Sequence, residues 1–105
     1  MNGLRADFKM LTGKQKRYLR SLGHELTPVI QLGKGGIAPN LVKQTVDTLE
    51  ARELIKGRVL QNCLEAPGEI AAELAEAAQA ELVQVIGRNF LLYRRSQEKP
   101  VIELP

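Results

Sequence analysis

The chain has 105 residues, a net charge of +3 and 44% hydrophobic residues, which is the size and composition of one small globular domain. Its apolar runs reach only about five residues, against the roughly 20 needed to cross a bilayer, and no signal-peptide core is recognisable, so we expect a cytoplasmic protein with no membrane partner. One cysteine and one histidine exclude an internal disulfide and fall short of a zinc site.

Charge is distributed unevenly along the chain. Residues 1–44 hold eight Lys/Arg against two Asp/Glu (+6), residues 45–87 hold three against eight (−5), and residues 88–105 hold four against two (+2). If the two basic ends meet on one face of the fold, they create a concentrated positive field that attracts polyanions. Charge alone therefore favours nucleic acid as the partner.

Capping signals and hydrophobic periodicity predict the elements of the first half. Thr12, followed three residues later by Gln15, is a capping box that begins a first helix, and Gly23 is a suitable stop. The β-branched run at 28–32 predicts a first strand. Pro39 opens a second helix whose apolar positions follow the 3.6-residue period to about residue 52.

The second half continues the alternation of strands and helices. Residues 54–61 alternate as a strand with one solvated face, and Pro67 opens an alanine-rich third helix that ends near Ala80. The runs 82–86 and 90–93 are joined by a short glycine-containing connection, which is typical of a hairpin. The order α-β-α-β-α-β-β predicts the α/β class, as a single compact domain with a four-stranded mixed sheet in two layers.

The predicted core also suggests domain limits. We expect an N-terminal extension at 1–10, a folded domain at 11–95 and a C-terminal tail at 96–105. Because the predicted apolar stripes lie between Leu11 and Tyr93, removal of residues 97–105 should leave the fold intact. The run Val-Ile-Glu-Leu at 101–104 leaves open an extended edge segment.

A glycine-rich loop is the first candidate site, and it comprises Gly33, Lys34, Gly35 and Gly36. Glycines allow a close approach of the backbone to a phosphate, the next helix offers free N–H groups, and Lys34 adds charge. GxxG loops clamp nucleic-acid backbones in KH domains. Glycine-rich turns between a strand and a helix are also common connectors, so both interpretations stay open. The Walker and dinucleotide spacings do not occur.

Basic residues on three segments extend the candidate site. The first helix carries four with no acid between them, whereas a purely solvated face would more often mix signs: Lys14, Lys16, Arg17 and Arg20. If the last strand lies near this helix or near the glycine-rich loop, three more join them: Arg88, Arg94 and Arg95. Lys56 and Arg58 on the polar side of the second strand are equally consistent with simple solvation.

No catalytic constellation is recognisable in the sequence. His24 has only Glu25 as an acid nearby in the chain, and general acid–base catalysis needs a positioned partner. Cys63 is typical of a small residue near a strand end. We therefore expect no enzymatic activity, no metal, no cofactor and no small-molecule substrate.

Five stretches of the chain resemble, in order, the CRM domain family, and more narrowly its stand-alone bacterial YhbY-type members: residues 11–20, 28–36, 53–56, 84–88 together with 92–94, and 102–105. The resemblance implies a fold similar to the C-terminal domain of translation initiation factor three. Gly57 departs from the pattern, since a β-branched residue is expected there. It predicts a weakened strand or a bulge.

The resemblance also implies a function. It implies an RNA-binding module that docks structured ribosomal RNA of the large-subunit precursor and acts in ribosome assembly. The GxxG loop falls on Gly33–Gly36, and the basic surface falls on the four cations of the first helix. The alternative is a protein-interaction module of the translation apparatus without direct RNA contact, which would use the acidic third helix and show weak salt dependence. The oligomeric state stays open.

Overall fold

A computed structural model describes residues 11–105, so the predicted extension at 1–10 lies outside the described residues. The elements follow the predicted order: α1 (Gly13–Gly23), β1 (Pro28–Leu32), α2 (Pro39–Arg52), β2 (Leu54–Val59), α3 (Pro67–Ala77), β3 (Glu81–Ile86) and β4 (Asn89–Tyr93). The strand order is β1-β2-β4-β3; β1 runs parallel to β2, and β4 runs antiparallel to β2 and β3. This is the predicted α/β domain with a four-stranded mixed sheet.

The limits of α1 agree with the prediction, although the physical role of its last residue differs. The Gln15 N–H donates to Thr12 Oγ1 at 3.1 Å, and the Thr12 N–H donates to Gln15 Oε1 at 3.0 Å, which completes the capping box. Gly23 is the last helical residue, and His24 caps the helix in an ordinary right-handed conformation. A Cβ at Gly23 would come within 2.5 Å of the Leu91 side chain. Glycine is needed here for close packing of α1 on the sheet.

The expectation of two layers is wrong, because helices cover both faces of the sheet. Phe90 and Leu92 of β4 pack into the core beneath α2 and α3, whereas Leu91 and Tyr93 pack with Leu19 of α1 into a second core. Four consecutive buried residues in β4 are typical of a strand that is buried on both faces. The fold therefore has three layers, with α1 alone on one side.

The predicted solvated face of β2 is right only for the second half of that strand. On the α1 side of the sheet, Leu54 is buried, Lys56 is half-buried and Arg58 is exposed. The difference arises because α1 covers one end of this face and stops before the other. The uncovered end carries the exposed cation.

Gly57 pairs in regular register with Phe90 and forms no bulge in β2. A Cβ at this position would overlap the Phe90 ring, which lies against the Gly57 backbone. The register shift lies instead in the neighbouring strand, between Pro28 and Ile30 of β1. Glycine therefore gives the buried aromatic ring its space in the core.

The expectation that the core ends at Tyr93 is also wrong. Ile102 and Leu104 of the tail pack against the core under α1, and the Pro105 carbonyl accepts a hydrogen bond from Gln15 Nε2 at 3.2 Å. The tail is neither a strand of the sheet nor detached from the domain. Its irregular backbone gives no periodic signal in the sequence, which is why the prediction missed its packing.

Glu53 holds the tail in place. It follows α2 with a φ of 67° and is fully buried. Its carboxylate accepts the Ser96 N–H at 2.7 Å, the Val101 N–H at 2.9 Å and the Ile102 N–H at 2.7 Å. Its carbonyl oxygen accepts the Arg94 N–H at 2.9 Å. One buried side chain therefore satisfies the amides of a segment that has no regular secondary structure.

A second carboxylate, Glu50, binds the same segment from a more exposed position. The Ser96 hydroxyl donates to it at 2.7 Å, and the N–H groups of Gln97 and Glu98 each donate at 3.2 Å. The hydrogen bond from Ser96, followed by that from Gln97, lowers the pKa of Glu50. The tail is thus held by two acids at the end of α2.

Candidate nucleic-acid interface

The glycine-rich loop is a tight turn at the end of β1. The Gly36 N–H donates to the Gly33 carbonyl at 3.0 Å, and Gly36 has a φ of 66°. A Cβ at Gly33 would lie 3.3 Å from Asn62 Oδ1, whereas a Cβ at Gly35 would meet no atom within 4 Å. Lys34 is exposed. Only Gly36 is glycine for a conformational reason, and Gly35 keeps the outer side of the turn free of side chains.

The loop leads into a helix N-terminus with no acidic or capping side chain. Ala38 is the N-cap of α2 and supplies no side-chain hydrogen bond, Pro39 occupies the first helical turn, and that turn contains no acid. The N-terminal end of a helix carries a partial positive charge and orphan N–H groups. An anion at this end of the molecule would therefore be stabilised.

Among the described residues, no carboxylate lies within 4.0 Å of the cations of α1. Lys14 and Arg17 are exposed, and Lys16 and Arg20 are half-buried. Among residues 11–105, the ion pair within 4.0 Å is that of Lys43 with Asp47 on α2. Within the part of the chain that the structure describes, no acid pairs with the four charges on α1, which favours their interaction with an external polyanion.

Beyond the end of α1, one row of the sheet is open to solvent. Strand register aligns residues across the sheet, and α1 covers the rows that contain Leu54 and Leu91. The next row on the same face is exposed on all four strands, and we call it the open row: Gln31, Arg58, Asn89 and Ile86. At a strand spacing of about 4.8 Å it spans roughly 14 Å. It starts two residues before the GxxG loop.

The structure brings only some of the predicted basic residues to the loop. Arg88 lies at the same end of the sheet, where its Nε and Nη2 donate to the carbonyl oxygens of Val59 and Leu60, both at 2.8 Å. It braces the end of β2 as well as carrying charge. Arg94 and Arg95 follow β4 at the opposite end of the sheet. The length of β2, roughly 17–20 Å at about 3.3 Å per residue, separates them from the loop.

Lys56 and Arg58 lie on the α1 side of the sheet, at the open row and next to it, although their sequence pattern indicates no more than solvation. Arg58 is in the open row, next to Gln31 of β1, and Lys56 precedes it on the same face. The alternation of β2 carries the signal that they share a face. The sequence does not reveal that this face lies beside the loop, because the pairing of β1 with β2 is a long-range contact.

The opposite side of the molecule is acidic. Glu69, Glu73 and Glu76 of α3 are exposed. A hydrogen bond with Glu73, together with burial and the negative charges of Glu73 and Glu69, raises the pKa of Glu65. The acidic side chains of α3 lie close to one another on this side of the sheet, whereas the cations of α1 lie on the other side. The basic α1 and the acidic α3 therefore lie on opposite faces of the sheet.

None of the helices formed by residues 11–105 is both long and apolar enough to span a membrane. No group of three or more His, Cys, Asp or Glu side chains in these residues has an arrangement that could hold a metal ion.

The sequence model of the CRS1/YhbY (CRM) domain family matches residues 11–94 of this chain. The chain belongs to this family. The match spans the sheet, the three helices and the GxxG loop, and it ends one residue after β4. The family expected from the sequence resemblance is thus confirmed.

Several relatives of this CRM protein match over most of its length. It is 54% identical over 96 residues to a Bacillus subtilis protein named "Probable RNA-binding protein YqeI", covering 91% of this chain and 100% of the relative. It is 36% identical over 95 residues to a Haemophilus influenzae protein named "RNA-binding protein", covering 90% of this chain and 95% of the relative. The solution structure of the hypothetical protein SAV1595 from Staphylococcus aureus matches with a TM-score of 0.76 and 59% identity, covering 91% and 100%.

Proposed function

We propose that this CRM protein binds structured RNA through the GxxG loop and the basic side of α1, and that its target is ribosomal RNA of the large-subunit precursor. In this proposal it acts in ribosome assembly in the cytoplasm and is not an enzyme. The observation that carries the proposal is a set of α1 cations with no carboxylate within 4.0 Å among residues 11–105, together with a glycine turn at which an added Cβ would meet open space.

The loop and the helix have different roles in this proposal. The turn at Gly35 presents backbone to a phosphate, with Lys34 and the N-terminal end of α2 adding positive charge. The cations of α1 contact neighbouring phosphates. Contacts of this kind recognise the shape and 2′-hydroxyls of folded RNA rather than a base sequence.

The relatives support RNA as the partner, since several bear the name RNA-binding protein. The choice of large-subunit precursor RNA rests on the resemblance of the five stretches to stand-alone bacterial members of the family. The lack of a recognisable catalytic group in the sequence supports a binding role.

A salt titration of RNA affinity tests the proposal. The variant Arg17→Gln/Arg20→Gln removes two charges from α1, and Lys43→Gln/Lys99→Gln removes two exposed charges from α2 and the tail as a matched control. Each lost phosphate contact lowers the slope of log K against log salt by roughly 0.7–0.9. We expect a slope lower by about 1.4–1.8 for the α1 variant and an unchanged slope for the control.

Equal slopes for the two variants would contradict a basic interface on α1. Affinity of the wild type that hardly changes with salt would favour the alternative, a protein-interaction module that uses the exposed acids of α3.

A further inference from the structure

A pocket of about 220 Å³ opens on the α1 side of the sheet, between the end of α1 and the open row. Gly23 and Phe90 line it together with six residues that the argument uses: His24, Lys56, Gln84, Ile86, Asn89 and Leu91. It is smaller than the roughly 300–1,000 Å³ of sites for drug-sized ligands. The open row continues from it across the sheet toward the GxxG loop.

The lining of the pocket combines two side-chain amides with apolar walls. Gln84 and Asn89 each offer an acceptor oxygen and an NH₂ donor, which is the pairing that the edge of a nucleobase presents. Leu91 lies at the base of the pocket, and Ile86 is 60% exposed at its rim. An aliphatic side chain with this exposure gives a flat ring an apolar surface on which to lie.

The charges around the pocket are those that a nucleotide requires. Lys56 lines it, Arg58 is beside Asn89 in the open row, and exposed His24 borders it at the end of α1. Histidine rings stack on unpaired bases in RNA complexes. None of the carboxylates among residues 11–105 lines the pocket. The site therefore suits an anionic ligand with a flat polar ring.

We propose that this pocket takes one unpaired base of the bound RNA, read by the amides of Gln84 and Asn89, while phosphates farther along the same strand contact Arg58 and then the GxxG loop. This inference rests on the proposed function and adds a base-reading site to it. The base must be unpaired, because the base edges of an RNA duplex are engaged in pairs and lie in grooves that side chains read poorly. A bulge or loop beside a helix would supply such a base.

The test uses four pentaribonucleotides, UUXUU, that differ only in the central base, together with a blunt RNA duplex. We expect the wild type to prefer one central base over the least favoured one by at least about threefold, or about 0.7 kcal/mol. The variant Gln84→Ala/Asn89→Ala should lose that preference and keep the salt dependence of the wild type. The matched control is Gln44→Ala/Gln97→Ala, which removes two exposed amides outside the pocket.

NMR provides a second measurement. The side-chain NH₂ signals of Gln84 and Asn89 should shift on addition of the preferred pentanucleotide and stay in place on addition of the duplex. Equal affinity for all four pentanucleotides, or a preference that survives in the Gln84→Ala/Asn89→Ala variant, would overturn the base pocket. Binding of the duplex alone would overturn it too and would leave the proposed RNA-binding function standing. Failure to bind any RNA would overturn that function itself.

Discussion

Glu53 provides the sharpest test of how the tail is held. In Glu53→Gln, the amide oxygen can still accept the Val101 and Ile102 N–H groups, but the new NH₂ group meets the Ser96 N–H, donor against donor. A hydrogen bond to a charged group contributes about 1.5–3 kcal/mol, and one between neutral groups about 1 kcal/mol. Losing the first bond and weakening the other two should cost about 3 kcal/mol, a large part of the roughly 5–15 kcal/mol that stabilises a small domain.

Urea unfolding and thermal melting measure this cost. For a domain of this size, about 3 kcal/mol lowers Tm by roughly 12 °C or more. The matched control is Glu50→Gln, which alters the more exposed carboxylate on the same tail segment and should cost much less. A Glu53→Gln variant within about 0.5 kcal/mol of the wild type would refute the role assigned to the buried carboxylate.

Deletion of residues 100–105 tests the contact between Glu53 and the tail by removing the tail instead of the carboxylate. It removes the N–H donors of Val101 and Ile102 and the packing of Ile102 and Leu104. The loss should be smaller than additive when combined with Glu53→Gln, because the two changes remove shared contacts. Additive losses would show that the tail and Glu53 act independently.

Two further predictions concern the buried core. Gly57→Ala should destabilise the fold by about 1–3 kcal/mol, because the added Cβ overlaps the Phe90 ring. Urea unfolding measures this loss, and adding Phe90→Leu should recover part of it. A Gly57→Ala variant as stable as the wild type would contradict the contact. Burial, and then the charge of Glu53, raises the pKa of the Tyr93 phenol in the folded protein above its ordinary value. The contribution of Tyr93 to the free energy of unfolding should therefore be fully present below about pH 10 and be lost as the pH rises through the pKa of the folded protein. Absorbance titration of the Tyr18→Phe variant reports the Tyr93 phenol alone. If the Tyr93 pKa is the same in Tyr18→Phe and in Tyr18→Phe/Glu53→Gln, the charge of Glu53 does not contribute to the shift.

The order of the elements could be predicted because its signals are local. The capping box at Thr12, the prolines at 39 and 67 and the glycine-containing connection between β3 and β4 each act within a few residues, and the structure has an element boundary at each. The third layer could not be read in the same way. The run from Phe90 to Tyr93 indicates burial on both faces but does not identify which helix covers the second face.

The candidate site was predictable in its parts and not in its arrangement. The glycines of the loop and the row of cations on α1 are visible in the sequence, whereas the open row depends on register between strands that are distant in the chain. The same limit applies to Glu53. An acid between a helix and a buried strand has no local partner, and its ligands are amides more than 40 residues later.

The RNA affinity of Gly35→Asp tests whether the GxxG loop contacts the RNA backbone. Gly35 lacks a positive φ and a Cβ there meets open space, so the variant should fold like the wild type. Gly68→Asp is the matched control, since it adds the same charge in open space at the start of α3. Lys34→Ala removes one charge from the loop and should lose about one phosphate contact.

For large-subunit precursor RNA, we expect Gly35→Asp to lose at least tenfold in affinity, about 1.4 kcal/mol, and Gly68→Asp to bind like the wild type. The reason is that the new carboxylate and its Cβ occupy the side of the turn where a phosphate must approach. Urea unfolding of each variant confirms that it is folded at the assay temperature. Folded Gly35→Asp protein that binds this RNA with wild-type affinity would contradict the account and leave the loop as a connector between β1 and α2.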